Sequence, residues 1–312
     1  MDILTEALAS MRTGHPASAR TNGRAPWGLT LPPVAGASFH VVLYGTCWLV
    51  PLPDVPPHLK PIQLNPGDVI FLRGGRGHVL ADHPSTSAEE CESEQFRGSS
   101  PIGSITLGGE GAETRLLCGS YHLDQGRPHP LVRQLPEVIH LPTRHGHHPE
   151  LSAAVQLLGS ELENPRMGSD GIVPTLIDSL LLYILRAWLD DQPPDAAQGW
   201  AAALRDSAVA PALTAMHDHP AASWTVESLA EQAGLSRAAF ARRFATLVGE
   251  PPMAYLTRWR MTTAARMLRE SDAPLTTVAA RTGYGSEFAF AKAFKREYGL
   301  APGGYRRQSR AA

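Results

Sequence analysis

Val226 to Pro252 reads VESLAEQAGLSRAAFARRFATLVGEPP, and Thr276 to Pro302 reads TTVAARTGYGSEFAFAKAFKREYGLAP. Laid on one another, the two stretches agree position by position. Ala230 meets Ala279 and Gly234 meets Gly283, an offset of 49. Beyond the turn, Ser236 meets Ser286, Phe240 meets Phe290, Phe244 meets Phe294 and Gly249 meets Gly299, an offset of 50. The one-residue change falls in the turn, where an insertion disturbs least. An internal repeat organises the chain from Trp224 to Tyr305.

Each copy follows one physical plan. A short helix carries small and apolar residues on one face: Leu229, Ala230 and Ala233 in the first copy, Val278, Ala279 and Thr282 in the second. Gly234 or Gly283 follows where the chain must leave helical geometry, which glycine does at no steric cost. Ser236 or Ser286 then caps a second helix. In that helix the phenylalanines fall at i and i+4 and pack back on the first. The expected unit is a helix-turn-helix, whose second helix enters the DNA major groove.

Two such units with a helix over Arg258 to Leu268 between them resemble the AraC/XylS family of bacterial transcription regulators. Gly283-Tyr284-Gly285-Ser286, then Phe290, Phe294, Pro302 and Tyr305-Arg306, resemble that family's signature. The resemblance implies double-stranded DNA and RNA polymerase as partners, a homodimer, an effector of unknown identity, and activation more often than repression.

Charge agrees independently. From Asp206 to Ala312 there are 14 Arg and Lys against 9 Asp and Glu, while the rest of the chain carries 14 against 21. A basic end on a near-neutral chain suits a nucleic-acid module joined to something else. The outward positions of the first recognition helix are Ser236, Arg237, Ala238, Ala241 and Arg242, with Arg242 the best candidate for a base edge. Arg243, rotated by about 100°, is expected to face backbone or solvent. The matching positions of the second are Ser286, Glu287, Phe288, Ala291 and Lys292. Glu287 can accept from a cytosine amine, Phe288 can touch a thymine methyl, and Lys292 can reach guanine or phosphate. Arginines including Arg242, Arg258, Arg260 and Arg296 are expected to hold the phosphate backbone. A solvated helix face is the competing reading for each of these positions.

The N-terminal half has another texture. Short apolar runs separated by Pro/Gly turns predict strands at Trp27–Leu31, Phe39–Leu43, Cys47–Val50, Ile62–Leu64, Val69–Leu72, Arg115–Leu123 and Val138–Leu141. Leu64-Asn65-Pro66-Gly67-Asp68 with the strand to Leu72 and Gly77-His78 resembles a cupin motif. His40 has no second histidine two positions on, so the usual cupin metal motif is missing; no cofactor is expected and a catalytic cupin is disfavoured. His40, Cys47, His78, Cys118 and His122 are candidate effector or redox residues in the barrel interior, Cys118 and His122 sharing a strand face. A histidine partner would favour a Cys118 thiolate and oxidant sensing; the competing reading makes Cys118 a small core residue. Asp82 to Gly111, polar and without period, reads as a mobile insertion, with Cys91 kept unreactive by its acidic neighbours. Arg144-His145-Gly146-His147-His148 resembles a metal-binding tract but, as one short loop at a domain edge, reads as a solvated linker.

From Pro149 the period is helical: one helix to Asn164 and a second over Gly171 to Asp190, with an apolar stripe wide enough for a dimer interface or for packing on the β-domain. The expected organisation is an α+β multidomain protein: a cupin-like β-barrel over 1–148, a helical hairpin over 149–192, a linker over 193–205 and an all-α domain with two helix-turn-helix motifs over 206–312. The start lacks a secretory pattern and three cysteines make no disulfide framework, so a cytoplasmic protein without a membrane partner is expected. A metal enzyme fused to a DNA module and a non-specific architectural DNA-binding protein remain the alternatives.

Overall fold

The structure is a computed structural model that describes residues 3–11, 16–34, 36–52, 60–91, 103–123, 129–143, 147–193 and 199–311. It divides into two compact units. One comprises Arg12–Gln125 and Leu135–Asp191, the other Met1–Met11, Gly126–Gln134 and Gln192–Ala312.

The first unit is built on two β-sheets. Strands β1 (Ala17–Arg24), β3 (Gly36–Tyr44), β6 (Val69–Arg73), β9 (Gly103–Gly108), β10 (Glu113–His122) and β11 (Val138–Leu141) form one, in the order β11-β6-β3-β10-β1-β9. Strands β2 (Gly28–Leu31), β4 (Cys47–Pro51), β5 (Ile62–Leu64), β7 (His78–Ala81) and β8 (Glu89–Glu90) form the other, in the order β5-β4-β7-β2-β8. One apolar cluster draws on both sheets, with Val42, Ile70 and Leu116 from the first and Leu29, Leu49 and Leu80 from the second. The Pro-Gly-Asp turn before β6 is tied down by Asp68. Its carboxylate accepts the Asn65 N–H (3.0 Å), the Thr143 N–H (2.7 Å) and His140 Nε2 (3.1 Å). Burial alone would raise this carboxyl; the three donors outweigh it and hold the group below the usual carboxylate range.

Part of the expected mobile insertion is sheet. Glu89–Glu90 pairs in parallel with Leu29 and Thr30, and Gly103–Gly108 pairs in parallel with β1; residues 92–102 lie outside the described residues. β1 was not expected either. ASARTNGR holds its sheet place through small and hydroxylated side chains, with Ser18, Ala19 and Thr21 buried, so it carries no apolar alternation to read.

Helices α3 (Pro149–Glu163) and α4 (Ser169–Asp190) complete the unit as a hairpin. Val173, Ile177, Leu180, Leu181 and Ile184 of α4 are buried, and Tyr121 donates its hydroxyl to the Ile177 carbonyl at 2.8 Å. By length and composition α4 is apolar enough to cross a membrane. Here that apolarity covers α3 and β11 of its own unit.

The second unit is all helix. It gathers α1 (Ile3–Met11), α2 (Pro130–Gln134), α5 (Trp200–Arg205), α6 (Val209–Asp218), α7 (Val226–Gln232), α8 (Arg237–Val248), α9 (Pro252–Glu270), α10 (Leu275–Arg281), α11 (Glu287–Tyr298) and α12 (Pro302–Ala311). Two short pieces expected in the barrel thus sit here. Glu6 of α1 pairs with Arg266 of α9 at 3.4 Å, and the Gln134 side chain of α2 accepts the Trp200 N–H at 2.8 Å. Trp200–Arg205, expected in the linker as a short helical segment, is a helix packed on α8, with the Trp200 indole almost wholly buried.

A buried polar chain anchors the first repeat to this scaffold. The Leu131 N–H donates to His129 Nδ1 (3.2 Å), so the neutral ring donates from Nε2 to the Tyr255 hydroxyl (3.2 Å). That hydroxyl in turn donates to His217 Nε2 at 2.5 Å. His217 stacks on Trp259 with centroids 3.8 Å apart, and Phe244 of α8 meets the Tyr255 ring edge-on.

Candidate nucleic-acid interface and effector cavity

The repeat is realised as two helix-turn-helix units, α7–α8 and α10–α11. Gly234 (φ 64°) and Gly283 (φ 76°) make the turns in left-handed geometry. Ser236 accepts the Ala239 N–H at 3.3 Å and Ser286 the Ala289 N–H at 3.2 Å, each capping its recognition helix. Phe240, Phe244, Phe290 and Phe294 are wholly buried. What remains outward on α8 is Arg237, Ala238 and Arg242, exposed, with Ala241 half-buried; Ser236 is exposed at its cap. On α11 the exposed set is Ser286, Glu287, Phe288 and Lys292, with Ala291 half-buried. Phe288 is 80% exposed, two positions from wholly buried Phe290.

The arginines separate into three groups. Arg242 has no side-chain partner among the described residues. Arg237 and Arg296 are exposed but rest against neighbouring carboxylates, Glu227 at 2.6 Å and Glu297 at 3.7 Å. Arg258 and Arg260, expected on the DNA backbone, are instead engaged within the unit. Arg258 forms an ion pair with Glu250 and lies over the Tyr255 ring, its carbon 5.0 Å from the centroid. Arg260 donates to the carbonyls of Pro220 (2.7 Å) and Ala222 (2.8 Å), stapling α9 to the segment before α7. Arg243 is exposed, as expected, and also pairs with Asp206 at 2.6 Å. Asp206 itself caps α6 by accepting the Ala208 and Val209 N–H groups at 3.0 and 2.9 Å. An arginine in a helical domain thus has two uses, and sequence spacing alone did not separate them.

In the β unit, His40, His78, Cys118 and His122 all line one cavity of about 300 Å³, together with Ser38 and Leu31. The shared strand face predicted for Cys118 and His122 is found. Cys47 is absent from the lining and sits in the apolar cluster. Histidine 78, missed as a partner of His40 because 38 residues separate them, meets it Nε2 to Nε2 at 2.7 Å. His78 Nδ1 donates to the Arg76 carbonyl at 2.9 Å, so its Nε2 accepts from His40. His40 Nδ1 is left a buried acceptor with no partner among the described residues, as is the Ser38 hydroxyl. Burial lowers both imidazoles, His78 to about 4.

Burial favours the neutral thiol at Cys118 over a thiolate. Burial pushes the Cys118 thiol up to about 12, and the Thr21 hydroxyl donating to its sulfur at 3.7 Å does not offset that. A neutral His40 supplies no positive charge to favour a thiolate. Cys91 is raised too, by its burial and not by its acidic neighbours. Among the described residues no third His, Cys or carboxylate joins His40 and His78 closely enough to complete a metal site.

Comparisons with known proteins agree with this division. Residues 2–190 match the family described as Cupin, and residues 229–308 match the family described as Helix-turn-helix domain. The chain is 35% identical over 307 residues to a putative AraC-like transcription regulator of Streptomyces lividans, covering 98% of each chain. It is 32% identical over 255 residues to the HTH-type transcriptional regulator AlkR of Acinetobacter baylyi, covering 78% of this chain and 80% of that one. Among solved structures, the DNA-binding domain of AdpA in complex with a target DNA matches 34% of this chain and 95% of that one, at 36% identity and a TM-score of 0.33. Full-length identity to a regulator, a cupin domain first and paired helix-turn-helix units after it lead to one conclusion: the chain belongs to the AraC-like family of DNA-binding transcription regulators and is not an enzyme.

Proposed function

We propose that α8 and α11 each read a half-site in successive major-groove turns, about 34 Å apart along one DNA face. The observation that carries this is the pair of matched outward faces, Ser236 to Arg242 and Ser286 to Lys292, left solvated while the phenylalanines beneath them are wholly buried. Arg242, unpaired on its helix, takes a guanine edge; Phe288 takes a thymine methyl; Glu287 and Lys292 take polar base edges or phosphate. Arg237 and Arg296 hold phosphates once these exposed arginines let go of Glu227 and Glu297, since surface pairs contribute at most about 1 kcal/mol. Arg258 and Arg260 position the helices and do not bind DNA.

The effector site in this reading is the 300 Å³ cavity of the β unit. Its lining supports a small neutral molecule with an apolar body and one hydroxyl or N–H to satisfy the open acceptor at His40. The protein acts in the cytoplasm as a homodimer that engages RNA polymerase as an activator. Leu157 of α3 (56% exposed) and Ile172 of α4 (44%) are the apolar positions that a two-fold partner would cover.

Full-length protein titrated on the duplex upstream of its own gene and on a scrambled duplex, at several salt concentrations, tests the reading. A preference of about 10³-fold or more for the native duplex is expected. Equal affinities that fall together as salt rises would reduce the interaction to phosphate contacts.

A further inference from the structure

One cluster of metal-ligating side chains takes no part in DNA reading or in the effector cavity. His147 and His148 close the loop before α3, and Asp191 follows the last turn of α4. Both imidazoles direct Nε2 to the same carboxylate oxygen. His148 Nε2 lies 3.0 Å and His147 Nε2 3.5 Å from Asp191 Oδ1. All three donor atoms fall within 4.8 Å of one another, and the two rings stand edge to face with centroids 4.1 Å apart.

Neighbouring residues do not ordinarily converge in this way. On a strand adjacent side chains point to opposite faces, and on a helix they diverge by about 100°. The backbone at His148 removes the difficulty. It is left-handed (φ 49°, ψ 60°), the one non-glycine residue with positive φ among the described residues. A side chain with a Cβ is disfavoured in that region. His148 donates no side-chain cap to α3 in return.

The spacing matches coordination geometry. Ligands about 2.0–2.1 Å from a tetrahedral zinc ion lie about 3.3 Å from one another, and the two contacts to Asp191 Oδ1, at 3.0 and 3.5 Å, bracket that edge. Two imidazoles and one carboxylate suit a borderline transition metal; magnesium and calcium take oxygen shells instead. With side chains 47% and 38% exposed at His147 and Asp191, the fourth position opens to water and the ion has a path in.

We propose that His147, His148 and Asp191 form a binding site for a divalent transition-metal ion of the zinc class, clamping the start of α3 to the end of α4. Asp191 is the last residue of the β unit before the chain passes into the DNA-binding unit at Gln192. The clamp therefore fixes the end from which that connection departs.

The test is calorimetric titration of zinc chloride into untagged full-length protein stripped with a chelator. Wild type should bind one ion per chain at micromolar or tighter affinity. His147→Gln and Asp191→Asn should each weaken that site at least about tenfold, and His83→Gln, exposed elsewhere, should not. Zinc should raise the melting temperature of wild type more than that of either site variant, whose melting in chelator should match wild type and so report intact folding. His148→Gln is a third probe, and the first two keep the test open if it does not fold. Absence of stoichiometric binding to wild type, or equal affinity in wild type and both site variants, would overturn the proposal.

Discussion

The two helix-turn-helix copies share a scaffold and differ in what they put on it. Both have the glycine turn, the serine cap, two buried phenylalanines and a glycine C-cap, Gly249 (φ 88°) or Gly299 (φ 75°). Outside, the first copy offers Arg237 and Arg242 over small alanines, while the second offers Glu287, Phe288 and Lys292. The supports differ as well. The first leans on the buried His129–Tyr255–His217 chain. The second packs into a cluster of Met261, Leu268, Val278 and the tyrosines 284, 298 and 305, with no histidine after position 219. A duplicated unit can thus keep its folding rules and still divide its recognition, because the buried and outward faces of a recognition helix answer to different constraints.

The largest effect should come from the shared interior. Phe240→Ala and Phe290→Ala should each cost about 3–5 kcal/mol and unfold the copy they belong to; chemical denaturation of the full chain measures it. A cost below about 1 kcal/mol would mean the phenylalanines do not anchor the copies.

The supports should separate under acid. Burial lowers the His217 imidazole to about 3 in the folded chain against about 6.5 in the unfolded one. The unfolded state therefore gains a proton first, and stability present above pH 6.5 is lost as pH falls toward 3. At pH 4.5 this amounts to about 2–3 kcal/mol. Hydrogen exchange corrected for intrinsic rate should show α8 losing protection before α11; equal loss would remove the asymmetry.

The outward faces should separate next. Arg242→Ala should cost about 1–3 kcal/mol of binding and relax one base pair, measured by titration on duplexes varied at single positions. Phe288→Ala should cost only about 1 kcal/mol, confined to sites with the matching thymine, and leave stability unchanged. A stability loss there would make Phe288 part of the core.

Legibility followed the same boundary between inside and outside. The paired helices were readable because a 3.6-residue period, capping serines and turn glycines repeat at matched positions. Most barrel strands were readable from apolar runs, but β1, inside the sheet, and β9, at its edge, were not, since both are rich in small and polar side chains. The partners of Arg258 and Arg260 were not legible, because an arginine facing a carboxylate or carbonyl looks, in sequence, like one facing a phosphate. The His40–His78 pair and the His147–His148–Asp191 cluster arise from contacts across 38 and 43 positions, beyond any local period. Cys118 was placed on the cavity face by the strand period, but spacing left open whether it is a thiolate or a core residue, because desolvation, which decides between them, cannot be read from spacing.

The most direct test of divided reading is selection of bound duplexes from a random pool by wild type, Arg242→Ala and Phe288→Ala. Wild type should recover two conserved blocks about one helical turn apart. Arg242→Ala should blur one block and Phe288→Ala the other, each leaving its neighbour intact. Recovery of a single block, or the same motif at uniformly lower affinity with both variants, would contradict the account.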